Sequence, residues 1–274
     1  MGVSRRVLFT GGAALAWTQR DWLRPQRRPH SSASVCSTRE AALQMISDNG
    51  FCVLQDWVPR EHIHSCFATE AGRSLPRDVA DPRPGTWRES AFGRYHQKIF
   101  SQEDTIALAE VERPLLPLVR AFFTEVPGEE QPFYRSELQL LTAVPESERQ
   151  IWHSDNRSRG LTLLIPLVDF SIENGGTQLL PGSHQPLATP LTGSVVACAP
   201  AGSVLVYDAR TYHRGLGNST SVPRPALVLR YDSPDTPPPG VGNVSAAAHA
   251  CVADALHLMG GAWTAVGLAM GLAT

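Results

Sequence analysis

The 274-residue chain is short of cysteine, of net charge and of charged residues altogether. Its five cysteines, Cys36, Cys52, Cys66, Cys198 and Cys251, are odd in number, scattered and without a C-x-x-C pair. That argues against a disulfide framework and against a cysteine-built zinc site. Lys and Arg total 24 against 26 Asp and Glu, a net charge of −2, so the whole chain carries no electrostatic signature of a nucleic-acid or anionic-membrane partner. Charged residues are 18% and hydrophobic ones 42%, a composition that buries a core rather than staying disordered. No internal repeat is visible. What is left is a soluble globular protein, an enzyme or a binding module.

The charge is unevenly spread. Residues 1–35 carry six arginines, no lysine and one acid, Asp21, with an apolar stretch at 7–17 behind Arg5 and Arg6. An Arg-rich, acid-poor leader is the pattern of a mitochondrial or plastid transit peptide. Ser4-Arg5-Arg6 before an apolar run equally fits a twin-arginine export signal, and a disordered extension of a cytoplasmic protein has the same composition. At the other end, residues 236–240 hold three consecutive prolines and read as a linker. Beyond it, 241–274 has one acid, Asp254, and no Lys or Arg. Gly267-x-x-x-Gly271 has the small-residue spacing of packed membrane helices, and roughly 20 apolar residues suffice for a membrane anchor. The segment is mostly Gly and Ala, however, which favours a helix packed on the domain or a loose tail. Between the two appendages, residues 36–235 hold 18 basic and 24 acidic groups, net −6, and form one acidic domain with no call on nucleic acid.

That domain opens helically. Ser37 and Glu40 have the spacing of a capping box, Ala42, Met45 and Ile46 form an apolar face, and Gly50 stops the helix. Residues 51–54 predict a short strand, Pro59 starts a second helix running toward Gly72, and 103–123 predicts a helix broken or kinked at Pro114. From Phe133 the pattern turns to β: 136–143, 150–155, 161–167, 177–180, 203–208 and 226–231 are short runs separated by Gly, Pro, Asn and Ser. The fold class is α+β, mainly β, an antiparallel sandwich or barrel with N-terminal helices flanking it.

His153-Ser154-Asp155 is the motif that can carry chemistry. Residues i and i+2 of a strand point to one face, so an imidazole and a carboxylate there can share a metal ion. Chance alone supplies about one such pair in a chain with this many histidines and acids, so a third ligand is needed. His184, in Pro181-Gly182-Ser183-His184, and His213, after the apolar run 203–207, compete for that place. Arg224 stands between Pro223 and Pro225 at the entrance of the last strand. Two histidines and one carboxylate fill three positions on Fe(II) and leave three open, and an arginine fork suits a carboxylate better than lysine does. Gln139 and Thr162 stand on strands that neighbour such a site. Arg94-Tyr95-His96-Gln97-Lys98 reads as a solvated strand, with Arg83, Trp87, Arg88, Phe92 and Tyr95 as further candidates for a substrate mouth. His62 and His64, two apart on a helix, do not share a face and are read as surface residues. Asn156, Asn218 and Asn243 head glycosylation sequons, but the first two fall beside the site, where Asn218 shapes a turn instead.

The run 173–184, Glu-Asn-Gly-Gly-Thr-Gln-Leu-Leu-Pro-Gly-Ser-His, then 202–208, His213, Asn218, Arg224 and Tyr231, resembles the phytanoyl-CoA dioxygenase family. Gly50-Phe51-Cys52-Val53-Leu54 with Val58-Pro59-Arg60-Glu61 is similar to that family's N-terminal segment, so the likeness spans about 49–232. It implies a double-stranded β-helix (jelly roll) with non-haem Fe(II), 2-oxoglutarate as cosubstrate and O2. It implies His153, Asp155 and His213 as metal ligands, Arg224 as the 2-oxoglutarate anchor, and no metal for the histidine of the Pro-Gly-Ser-His turn, His184. Gln139 and Thr162 would then face the cosubstrate. The implied reaction is hydroxylation of a small molecule with release of succinate and CO2. A carboxylate at Asp155, where related halogenases leave room for halide, favours hydroxylation. Two other readings stay open: a catalytically silent jelly-roll metal- or ligand-binding protein, and a cupin-like metalloenzyme working without 2-oxoglutarate. The complete set of His153, Asp155, His213 and Arg224 discriminates against both. Substrate and oligomeric state have no signature in the sequence.

Overall fold

The computed structural model describes residues 33–68, 70–73, 75, 86–88, 93–98, 108–126, 129–185 and 193–238. The leader, the apolar tail with Asn243, Arg83 and Phe92 lie outside the described residues. Among the described residues, no helix is long and apolar enough to cross a membrane.

Helix α1, Arg39–Asn49, starts on Thr38, whose extended backbone turns its hydroxyl onto the Ala41 amide at 3.2 Å. This corrects the expected Ser37–Glu40 box: the cap lies one residue later, and Glu40 pairs with Arg39 instead of reaching back. Gly50 ends the helix in the left-handed region, φ 89°. A β-carbon there would stand 2.5 Å from Thr211 Oγ1 and 2.6 Å from His184 Nδ1, so the chain can close on the loop before His213 only through glycine. Strand β2, Phe51–Leu54, follows, then α2, Arg60–Ala68, with a further helical turn at Glu70–Arg73. Residues 108–112 and Leu116–Phe123 are helical, with turns at 113–115, so the break expected at Pro114 is present.

The strands form two facing sheets. Besides β2 these are β1 (Val35–Cys36), β3 (Thr86–Arg88), β4 (Arg94–Lys98), β7 (Tyr134–Ala143), β8 (Gly160–Pro166), β9 (Thr177–Leu179), β10 (Val195–Ala197), β11 (Val204–Asp208), β12 (His213–Gly215) and β13 (Arg224–Asp232); β5 (Thr124–Val126) and β6 (Glu129–Glu130) make a separate ribbon. The large sheet has the order β1-β2-β11-β8-β13-β7-β4-β3, and the small one β10-β9-β12. Two sheets built from strands that alternate between them make the double-stranded β-helix.

Strand alternation divides the core. Leu161, Leu163, Ile165, Leu227 and Leu229 pack toward α1 and the Leu116–Phe123 helix, whereas Leu141, Leu164, Leu205, Val228 and Leu179 fill the space between the sheets. On the helix side, Glu112, 1% exposed, accepts from Arg135 Nη1 at 2.7 Å and from the Tyr231 hydroxyl, tying residues 108–112 to the sheet.

Two further expectations need correction. Residues 150–155 form a single bridge, His153 to His213, and no ladder strand. The reason is a mismatch in count: Gln150 N bonds Gly215 O while His153 N bonds His213 O, three residues against two, and the Gln150 side chain takes the Gly215 amide. Residues 94–98 are a strand, but it is not solvated. It pairs with β7, and Arg94, Tyr95 and Gln97 are buried. Tyr95 lies opposite Thr142, on the Leu140 side, so it faces the helices rather than a substrate mouth. Polar sequence suggested water; tertiary pairing put the strand inside.

Candidate active site

Two places on the inner face of the large sheet concentrate polar side chains. One row runs Tyr207, Thr162, Arg230 and Glu137 across β11, β8, β13 and β7. At the other end of β13, Arg224 and Arg94 both lie opposite Ala143. Apolar residues Leu141, Leu164, Leu205 and Val228 line the chamber between.

Above the first row stand His153, Asp155 and His213, with one ligand atom of each lying within 4.8 Å of the others. His213 comes from β12 and His153 from the segment bridged to it, so a hydrogen-bonded pair of residues places two imidazoles side by side, ring centroids 4.4 Å apart. Asp155 is set by backbone bonds from its own amide and that of Asn156 to Ala209 O. His153 Nδ1 lies 2.9 Å from Ile151 O, and His213 Nδ1 lies 2.9 Å from Thr211 O. A carbonyl only accepts, so both Nδ1 atoms carry the proton and both Nε2 atoms are acceptors that can turn to a cation; the Tyr207 hydroxyl stands 3.3 Å from His213 Nε2. His213 Nε2 is 3.6 Å from Asp155 Oδ1.

The carboxylate is ionised. Burial alone would raise the Asp155 pKa, but His213, Arg230, His153 and the Thr162 hydrogen bond together more than offset it and hold the group below its usual range. Thr162 Oγ1 donates to Oδ2 at 2.8 Å, which leaves Oδ1 on the histidine side. Arg230 is pinned in turn by Glu137 and Asp232, each at 3.2 Å, and Asn156 donates to Asp232 at 2.7 Å. The loop that carries Asp155 is thereby tied to the end of β13. This bond also buries Asn156, so its sequon cannot carry a glycan in the folded protein.

Arg224 is 1% exposed, lies 4.4 Å over the Phe170 ring and donates Nη1 to Gly175 O. Its Nε is buried with no hydrogen-bond partner among the described residues. Burial first, and then Arg94, pushes its pKa well below the ordinary value, so the guanidinium is a cation in want of an anion. Arg94 bonds Glu148 O at 3.2 Å and also Leu216 O, and rests against Gly215, where a β-carbon would come within 2.5 Å of its Nη1. A buried cation with a spare fork position, across an apolar chamber from a two-histidine, one-carboxylate cluster, fits a dicarboxylate that chelates a metal with one end.

Of the residues singled out in the sequence, Thr162 and Gln139 lie on the chamber face; Thr162 gives its hydroxyl to Asp155, and Gln139 Oε1 is 2.9 Å from His96 Nδ1. His184 is buried elsewhere, with Nε2 3.0 Å from Ser47 O. Asn218 bonds Ala143 O and Val222 O and receives Thr220, which builds the turn before β13. Trp87 and Arg88 fall on β3, and His64 on α2 is exposed. Sequence reasoning missed Tyr207, Arg230 and Asp232, and took Arg94 only as part of a solvated strand or a substrate mouth. The one signal for Arg230 was a charge inside the otherwise apolar run 226–231; Tyr207 looks like any aromatic ending a buried strand.

A jelly roll that converges two imidazoles and one ionised carboxylate between its sheets is the architecture of a mononuclear non-haem iron oxygenase. Residues 46–226 match the phytanoyl-CoA dioxygenase (PhyH) family, and the chain belongs to it. Members of that family use Fe(II) and 2-oxoglutarate, and this chain is an Fe(II)/2-oxoglutarate-type oxygenase at the family level. Among curated proteins it is similar to dioxygenase trt7 of Aspergillus terreus, 25% identical over 223 residues, 73% of this chain and 74% of the relative. Among solved structures it shares its fold with SnoN, a non-haem alpha-ketoglutarate-dependent epimerase from nogalamycin biosynthesis (TM-score 0.59, 20% identity, 74% of this chain and 87% of that one). SnoN has also been solved with Fe3+, alpha-ketoglutarate and nogalamycin RO. AviO1 from Streptomyces viridochromogenes Tue57 shares the fold as well (TM-score 0.56, 22% identity, 74% and 98%).

Proposed function

We propose that the protein is a hydroxylase of a small molecule, with His153, Asp155 and His213 holding Fe(II) and Arg224 holding the far carboxylate of 2-oxoglutarate. The observation that carries this reading is the pairing of two acceptor Nε2 atoms and a carboxylate, gathered within 4.8 Å of one another, with a buried arginine that has an unfilled donor. The iron–cosubstrate pair supplies O2 activation and removal of a substrate hydrogen. Everything else falls to the chain. Ile151 and Thr211 carbonyls fix the imidazole tautomers, Thr162 fixes which carboxylate oxygen faces the metal, and Arg224 with Arg94 behind it sets a positive potential at the closed end. Leu141, Leu164, Leu205 and Val228 keep water from the chamber, so these charges act at low dielectric. Retention of all four residues supports turnover over a silent binding protein, and Arg224 supports 2-oxoglutarate use over cupin-like chemistry.

Anaerobic addition of Fe(II) and 2-oxoglutarate should give the weak visible charge-transfer band of the chelate, and air should then yield succinate. Candidate small molecules can be screened by faster succinate release. The hydroxylated product is heavier by one oxygen atom; an isomer of unchanged mass would overturn hydroxylation. No band and no succinate would overturn the assignment altogether.

The Thr162 hydroxyl gives a milder expectation. Thr162→Val keeps the shape and removes the donor to Asp155 Oδ2, so Fe(II) affinity should fall by about 10-fold, the usual cost of losing a partner behind a ligand. Titrating the chelate band with Fe(II) at saturating 2-oxoglutarate measures it, and an unchanged midpoint would show that Asp155 does not need the bond.

A further inference from the structure

Tyr207 stands at the same centre with no part in the chemistry above. Its side chain points between the sheets from the end of β11 and is 3% exposed. The hydroxyl lies 3.3 Å from His213 Nε2, the nitrogen that would take the metal, and against Thr162 and Asp155. The ring centroid is 4.5 Å from that of His213, with the planes at 49°. Metal–imidazole bonds run about 2 Å, so the phenol oxygen is at most about 5.5 Å from an ion on that nitrogen. A phenol ring is electron-rich, most of all at the carbons beside the C–O bond, whereas Leu141, Leu164, Leu205 and Val228 offer only aliphatic C–H bonds.

We infer that Tyr207 is a self-modification site: when no substrate is present, the protein hydroxylates its own Tyr207 ring beside the phenol oxygen and converts the side chain to a catechol. The inference rests on the iron/2-oxoglutarate reading above. One ring C–H bond breaks and one C–O bond forms. One atom of O2 enters the ring, and the displaced hydrogen ends on the new hydroxyl. The other oxygen atom enters the new carboxylate of succinate as 2-oxoglutarate loses CO2. The ring C–H and the keto acid each give two electrons, which together reduce O2 fully, so no other oxidant or reductant is needed. Because Tyr207 is enclosed, an oxidant free in solution reaches exposed residues such as Tyr212 first.

The test uses the full chain loaded anaerobically with Fe(II) and 2-oxoglutarate, then exposed to heavy-isotope oxygen gas without any substrate. Tandem mass spectrometry should find one labelled oxygen on Tyr207, absent when 2-oxoglutarate is omitted. Oxidising the metal afterwards should give a broad visible iron–catecholate band. Tyr207→Phe should lose that band, since one hydroxylation of Phe yields only a phenol. Succinate without label on Tyr207, label on other residues instead, or a chelate band with neither succinate nor label would overturn this inference and leave the hydroxylase reading standing. Absence of both chelate band and succinate would overturn both.

Discussion

Asp155→Ala is expected to cost Fe(II) binding about 3–5 kcal/mol, the scale for removing one member of a buried charge pair, and so to lower affinity by about 150-fold or more. The physical reason is that Asp155 is the one anion of the cluster. His153 and His213 offer neutral lone pairs, so without the carboxylate a dication meets only dipoles, and Arg230, held beside Asp155, then repels it. Thr162 loses its carboxylate acceptor. Asp155→Asn is the sharper variant. It preserves volume and can still accept from Thr162, so a loss as large as that of Asp155→Ala would assign the effect to charge. Anaerobic titration with Fe(II), read through the chelate band, and succinate production in air measure both. An alanine variant that binds Fe(II) like the parent, with an unchanged melting temperature, would remove Asp155 from the metal site.

Arg224→Ala is expected to weaken 2-oxoglutarate by about 3 kcal/mol, or roughly 150-fold, because it leaves a carboxylate unpaired in a dry chamber. Arg224→Lys should recover only part of this, since an ammonium cannot take a carboxylate in two-point fashion. The same residue makes a second expectation with the opposite sign. Arg224 is a buried cation with an orphaned Nε and another guanidinium nearby. Arg224→Met should therefore melt no lower than the parent when cosubstrate is absent. With 2-oxoglutarate and a metal added, the parent should gain stability through linkage and the variant should not. A cosubstrate affinity unchanged in all three variants would move the anchor elsewhere, with Arg94 the next group to substitute.

Much of this site was legible along the chain. That His153 and Asp155 share a face follows from the two-residue period of extended backbone, and it holds even though 150–155 never becomes a regular strand. The apolar runs at 161–167, 203–208 and 226–231 marked the three central strands to within two residues. Gly50 was readable as a helix stop, although its full reason, a close approach to Thr211 and His184, is a contact across more than a hundred residues. The polar run 94–98 was the clearest misreading. Local composition cannot tell a strand facing water from one facing a polar chamber, and burial of Arg94 was decided by β7 and β12.

By itself, then, the sequence determined the element types, the His–Asp pair, the arginine at the head of the last strand and the family to which the chain belongs, because each is written in local spacing. The resemblance already implied His213 rather than His184 as the third ligand; only the tertiary structure decided that both imidazoles present Nε2 and that Thr162, Arg230 and Tyr207 surround the carboxylate. The assembly of the cluster depends on cross-strand registers joining Thr162 with Tyr207, His153 with His213 and Thr162 with Arg230, about 45 to 70 positions apart. Such registers are set by packing two sheets face to face, and no local pattern encodes them.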